Sequence, residues 1–138
     1  MHYSFFLTVS PDNDVDNPAL QAIKLGSGIL REVKISFPSG CNGVVRCFLA
    51  NDSVQLLPTN QDGYYALGGD SVVARLWYDL SINTNTLYFI GWSVDADYSH
   101  ELCIMLDVKE DNEPDMMILQ SKIMDVLDHL VGMIKSYL

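Results

Sequence analysis

The spacing of the apolar residues changes near residue 114, and this change divides the chain into two parts that must fold differently. Before it, apolar and polar residues alternate with the period of two that a half-buried β-strand requires. After it, apolar residues recur at steps of three and four, which is the period of an α-helix. The pattern predicts a β domain at residues 1–110 and an amphipathic helix at residues 114–138. A heptad stripe runs along this helix through Met116, Leu119, Ile123, Val126, Leu130, Met133 and Tyr137.

The first part of the chain contains about eight short segments that are typical of β-strands. In residues 29–37, for example, Arg31 and Val33 share one face, whereas Leu30 and Glu32 share the other. Mainly short turns join the segments and no helical segment separates them, which excludes parallel crossover connections. We therefore predict an all-β fold, an antiparallel, jelly-roll-like β-sandwich with a C-terminal amphipathic α-helix. The predicted strands are residues 2–9, 20–25, 29–37, 44–50, 54–57, 71–80, 86–94 and 98–108.

The predicted helix carries more apolar surface than the heptad stripe alone. A face this wide can cover the protein's own sheet, pack against another subunit or lie on a membrane surface. We predict that the stripe is an oligomer or partner interface, and that the partners are further copies of the chain or other proteins. The flanking apolar residues, all on one side of the stripe, are Met117, Met124, Leu127, Val131, Ile134 and Leu138.

The net charge of −10, from 8 Lys and Arg against 18 Asp and Glu, argues against two classes of partner. Nucleic acids and anionic lipid surfaces attract Lys- and Arg-rich proteins, so neither is expected here. No window has the run of about 18 apolar residues that a membrane-spanning helix needs. The N-terminal residues lack the basic and apolar regions of a signal peptide, so we expect a protein that is made in the cytoplasm and either stays there or leaves by a route other than secretion.

No residue pattern predicts catalysis, a metal site or a cofactor. The acidic loop at residues 12–16 resembles the opening of a calcium-binding loop, but Asn17 replaces the required Gly and Ile23 the required Glu. His100 and Cys103 are three residues apart, which places them on opposite faces of a strand. The three cysteines form no CxxC pair. We therefore predict a protein that is not an enzyme and has no catalytic, cofactor-binding or metal-binding residues.

Aromatic residues offer a second kind of site. Trp77, Trp92, Tyr64 and Tyr65, with Tyr88 nearby, could form a platform on which a ligand such as a glycan stacks. Aromatic residues on neighbouring strands also form cross-strand packing pairs, and this alternative is favoured.

Three sequence strings resemble a family of small, mostly uncharacterised β-sandwich proteins of prokaryotic viruses and proviruses. They are VKISFPSGCNGVV at residues 33–45, LLPTN at 56–60 and WSVDADYSH at 92–100. The resemblance spans residues 20–108 and implies a virion or assembly component. We accordingly expect a non-enzymatic viral structural protein, located in the virion, that self-associates or docks on other virion proteins. The alternative is a small β-sandwich module that binds a glycan or a protein ligand.

Overall fold

The computed structural model describes residues 1–60, 62–110 and 116–136. Within them, eight strands precede one helix, and each strand lies within about two residues of a predicted segment. The strands are β1 (His2–Val9), β2 (Ala19–Lys24), β3 (Ile29–Ser36), β4 (Val45–Ala50), β5 (Gln55–Leu57), β6 (Ser71–Asp79), β7 (Thr86–Ser93) and β8 (His100–Lys109), and the helix is α1 (Met116–Ser136).

The strands form two four-stranded antiparallel sheets. The first has the order β1-β8-β3-β6 and the second the order β2-β7-β4-β5. The chain crosses between the sheets at every connection except the one between β4 and β5. Two sheets connected in this way make a jelly roll. The predicted all-β sandwich with a C-terminal helix is therefore confirmed.

The core lies between the two sheets and is built from alternate residues of each strand. In β8, Leu102, Ile104 and Val108 are fully buried, whereas the intervening Glu101 and Met105 face water. Burying one such aliphatic side chain stabilises the fold by about 1.5–3 kcal/mol. The core includes residues from all the strands except β6, which contributes half-buried side chains at its margin.

A bulge in β3 overturns one prediction about which side chains share a face. The register of β3 with both of its neighbours shifts between Leu30 and Glu32. The extra residue brings both Leu30 and Val33 to the core, where each is at most 1% exposed. Arg31 instead reaches Asp107, with 3.4 Å between Nη2 and Oδ2. The prediction that Leu30 and Val33 lie on opposite faces of the strand is therefore wrong.

Helix α1 presents its described side chains to water. All residues from 123 to 135 are exposed in the single chain, including large apolar ones. Within the described residues, α1 does not combine the length and apolarity that spanning a membrane demands.

Candidate functional site

A groove of about 850 Å³ lies on the outer face of the second sheet. In β7, Leu87 and Phe89 point into the core. Because side chains alternate along a strand, Ile90 and Trp92 point outward. In the adjacent β4, Arg46 pairs with Trp92 and Phe48 pairs with Ile90. These outward side chains line the floor. The volume is in the range of natural ligand sites.

The loop at residues 10–18 forms one wall, and hydrogen bonds fix it to the end of β7. The buried Ser93 hydroxyl donates to the Ser10 carbonyl at 2.9 Å and the Asn13 carbonyl at 3.2 Å. The backbone N–H of Ser93 also donates to Asn13 O, at 2.8 Å. Within the loop, Asp14 Oδ1 accepts the backbone N–H groups of Asp16 and Asn17. The wall is therefore held by hydrogen bonds to the end of β7 and within the loop.

The loop that follows β5 forms the opposite wall, and Gln55 holds it. The side-chain amide of Gln55 donates to the carbonyls of Pro58 at 2.8 Å and Gly63 at 3.0 Å. The end of this loop then pairs with β4, because Tyr65 and Cys47 exchange two backbone hydrogen bonds. Tyr64, the residue before this bridge, lines the groove.

A cluster of rings surrounds Arg46. Trp92 lies edge-on to both Tyr64 and Phe48, with ring centroids 5.8 and 5.9 Å apart. The guanidinium Cζ of Arg46 lies 4.6 Å from the centroid of the Tyr64 ring, a cation–π contact. Arg46 Nε is buried without a hydrogen-bond partner among the described residues. The ring contacts thus fix the guanidinium group at the groove.

The rest of the lining is both aliphatic and acidic. Val15 and Val94, 67% and 39% exposed, are accessible apolar contacts at its margin. Three carboxylates, those of Asp14, Asp62 and Asp95, also line the groove. They outnumber the one cation, so the groove carries net negative charge. It can take an apolar group with positive charge beside it.

The structure brings together only two of the four predicted ligand aromatics, Trp92 and Tyr64. Trp77 lies in β6 of the other sheet, where it is 59% exposed. Tyr65 packs against the core, and burial, followed by the neighbouring Cys47 thiol, raises its pKa. Tyr88 lies on the groove side of β7 but lines no part of the groove; a hydrogen bond to Asp52 raises its pKa.

Sequence reasoning missed four residues that build the groove: Arg46, Phe48, Gln55 and Ser93. The alternation in β4 marks Arg46 and Phe48 as partners on one face, which was a usable signal. Ser93 acts on a loop about 80 residues earlier in the chain, and Gln55 acts on the loop that directly follows it; no sequence pattern marks either side-chain contact.

The predicted helix interface lies in α1. Ile123, Val126, Leu130 and Met133 are 47–59% exposed. Met116 and Leu119 also belong to α1, and Tyr137 lies outside the described residues. The interface role of this stripe stays a prediction.

The thiols and His100 do not assemble into a nucleophile and base. Cys47 is buried in the core, and burial strongly raises the pKa of its thiol. His100 is 4% exposed beside the Tyr98 ring, whereas Cys103 is on the outer face, 3.7 Å from the Ser4 hydroxyl. Among the described residues, no group of His, Cys, Asp and Glu side chains is arranged to hold a metal ion.

Comparisons with known proteins give a structural likeness and no family. No family model matches the chain, and no curated protein matches it. A similar solved structure is that of Aeromonas hydrophila PliG, a periplasmic lysozyme inhibitor of g-type lysozyme. The match has 9% sequence identity and a TM-score of 0.43, and it covers 78% of this chain and 86% of that chain.

This likeness corrects the first functional prediction. The similar protein is a bacterial inhibitor and not a virion component, so the prediction of a viral structural protein is wrong. The alternative, a small binding module, stays a prediction. The resemblance to viral proteins and the cellular location stay predictions. At this identity and TM-score the likeness assigns no ligand to the chain, whose function must be argued from its own groove.

Proposed function

We propose that this chain is a non-catalytic binding module whose groove receives a protein ligand. The observation that carries this proposal is the groove itself, about 850 Å³ on the outer face of the second sheet. An outer sheet face that meets only water needs no cluster of apolar side chains. Here Phe48, Ile90 and Trp92 occupy neighbouring positions on that face, between two loops fixed by hydrogen bonds.

The shape of the lining favours a protein ligand over a glycan. A sugar ring stacks on the open face of an aromatic ring, but Trp92 is only 9% exposed. Tyr64 is 42% exposed, and Arg46 covers one of its faces. The accessible margin is aliphatic instead, at Val15 and Val94. Such a surface suits an apolar side chain of a partner protein.

The charge of the groove and of the whole chain favours a basic ligand. Asp14, Asp62 and Asp95 line the groove, and the chain as a whole carries −10. Acidic fields speed the encounter with basic partners and repel acidic ones. The proposed ligand is therefore a protein segment that presents an apolar residue with Lys or Arg beside it.

Selection from a random peptide library displayed on phage, with the full chain as bait, tests this function. Selected peptides should carry an apolar residue flanked by Lys or Arg. Tyr64→Ala should weaken their binding at least tenfold, the cost of truncating an aromatic contact worth more than about 1.4 kcal/mol. Trp77→Ala is the matched control, because it removes an exposed ring from the other sheet.

The affinities of these two variants decide the proposal. It is wrong if selected peptides bind the Tyr64→Ala variant as tightly as the original chain. It is equally wrong if Trp77→Ala is the change that abolishes binding, or if repeated selection enriches no sequence.

We also propose that the chain self-associates through α1. The support is the exposed heptad stripe, because apolar residues repeating every 3.5 positions on average match the knobs-into-holes spacing of a second helix. The protein's own sheet and a lipid surface are the competing partners for this face of the helix. Lipid is disfavoured because the polar side of α1 includes Asp125 and Asp128, whereas helices that lie on membranes are rich in Lys and Arg there.

The solution mass, measured by light scattering over a concentration series, tests self-association. The mass should exceed that of one chain and fall toward it in a Leu130→Asp variant. Asp128→Asn, on the polar side of the same helix, should leave the mass unchanged. A wild-type chain with the mass of a monomer at every concentration contradicts this proposal.

A further inference from the structure

Arg46 places a positive charge on the floor of the groove without an anionic partner in the chain. The three aspartates that line the groove form no ion pair with its guanidinium group, and neither does any other carboxylate of the described residues. The neighbouring floor residues are apolar, with Phe48 and Trp92 closest along β4 and β7. A charge on such a floor gains most from a partner that a ligand brings.

The hydrogen-bond donors of Arg46 are also unused. Nε is buried and has no partner among the described residues. The two Nη atoms make no hydrogen bond to a described residue either, and they are accessible from the groove that Arg46 lines. The Tyr64 ring, 4.6 Å from Cζ, holds the guanidinium plane in place before a ligand arrives. Binding to Arg46 therefore costs less side-chain entropy than binding to a freely moving arginine.

We infer that Arg46 determines the specificity of the groove by binding one carboxylate of the protein ligand. This inference rests on the proposed function and adds a second requirement of the same site. The planar guanidinium group offers two parallel N–H donors, which match the two oxygens of a carboxylate. A main-chain carbonyl is neutral and would leave the charge of Arg46 uncompensated. A phosphate carries up to two negative charges, which the three aspartates disfavour more strongly than the single charge of a carboxylate.

The ligand that fits this groove carries both signs of charge. Its apolar residue contacts the margin at Val15 and Val94, its Lys or Arg lies near the aspartates, and its carboxylate lies at Arg46. A basic segment that lacks the carboxylate leaves Arg46 covered and unpaired, so Arg46 selects against it. The carboxylate belongs either to an Asp or Glu side chain or to the C-terminus of the ligand, and the chemistry is the same for both.

Two phage libraries identify the source of the carboxylate. In one the peptides are fused through their C-termini, so that only side chains supply carboxylates, and in the other the C-termini are free. The most enriched peptide from each library is synthesised with its carboxylates and with each one replaced in turn by the corresponding amide. Removal of the one that binds Arg46 should weaken binding to the original chain at least about tenfold, as expected for a charge-assisted hydrogen-bonded pair.

Two variants of the chain assign this effect to Arg46. In Arg46→Gln the peptides with and without the carboxylate should differ in affinity by less than about twofold, whereas a merely structural role would weaken both equally. Arg75→Gln is the matched control, because it removes the same charge from β6 of the other sheet, and it should keep the full difference. Circular dichroism and urea unfolding check that both variants are folded.

The outcomes separate this inference from the proposed function. Peptides whose binding depends on Tyr64 but on no carboxylate overturn the role of Arg46 and leave the groove as the binding site. A carboxylate that matters equally in the original chain and in Arg46→Gln has the same meaning. Selections that enrich no sequence from either library overturn both the inference and the proposed function.

Discussion

Replacement of Gly91 by alanine probes how closely the two sheets approach beneath the groove. Gly91 lies in β7 between Ile90 and Trp92, on the inner side of the second sheet. A Cβ atom there would be 3.0 Å from both Leu7 Cδ2 and Val9 Cγ2 of β1, and 3.3 Å from the Arg46 carbonyl oxygen. The two 3.0 Å distances are too short for unstrained contacts between carbon atoms.

Two opposing terms set the magnitude of the effect. Overpacking a well-filled core costs about 1–3 kcal/mol. Replacing glycine by alanine also lowers the conformational entropy of the unfolded chain, which stabilises the folded state by about 0.4–1 kcal/mol. Leu7 and Val9 are 4% and 0% exposed, so neither can move into solvent. The overpacking term should prevail, and the free energy of unfolding should fall by about 1–2 kcal/mol.

Urea unfolding followed by circular dichroism measures this change, and Val9→Ala supplies a double-mutant cycle. Without the Val9 methyl groups, one of the two short contacts disappears, so Gly91→Ala should cost less in that background. A neutral or stabilising Gly91→Ala, or an equal cost in both backgrounds, would show that β1 does not crowd a methyl group at this position.

Three further predictions concern a thiol, the helix and a groove wall. Burial raises the pKa of Cys47, so above about pH 8.5 the unfolded chain releases this proton while the folded chain keeps it. The free energy of unfolding should therefore fall as the pH rises above this value. Urea unfolding at alkaline pH should give a slope about 1.4 kcal/mol per pH unit steeper for the original chain than for Cys47→Val. Gly132→Ala adds a methyl group that meets nothing within 4 Å, so it should stabilise α1 by about 1 kcal/mol and raise the helical circular dichroism signal; an unchanged signal would contradict this. Ser93→Ala removes the hydroxyl bonds to Ser10 and Asn13, and because both carbonyls keep a backbone donor, it should cost only about 1 kcal/mol in urea unfolding. A loss above about 3 kcal/mol would show that the wall has a larger structural role.

The strands were predictable from sequence because a half-buried strand leaves a local mark. In β8, for example, every second residue from Leu102 to Val108 is aliphatic and buried. The bulge at Arg31 was not predictable, because a bulge has no residue pattern of its own. It changes only how β3 is aligned with the neighbouring strands. The strand order was also out of reach, because a jelly roll pairs β1 with β8, which are distant in sequence.

The groove was predictable only in part, for a related reason. Trp77 and Trp92 both occupy strands with alternating polarity, and nothing local shows that they belong to different sheets. Arg46 reaches Trp92 only because β4 pairs with β7, which lies about forty residues later. The helix stripe is the opposite case, because its periodicity is local and was visible in the sequence, whereas its role as an interface stays a prediction.

A map of amide chemical-shift changes tests directly whether the groove is the binding site. The full chain, labelled with nitrogen-15, is titrated with a synthetic copy of the most enriched peptide from the phage selection. The largest changes should fall in residues 11–18, at Arg46 and Phe48, in residues 62–64 and in residues 90–95. Changes confined to β6 around Trp77, or to α1, would contradict it.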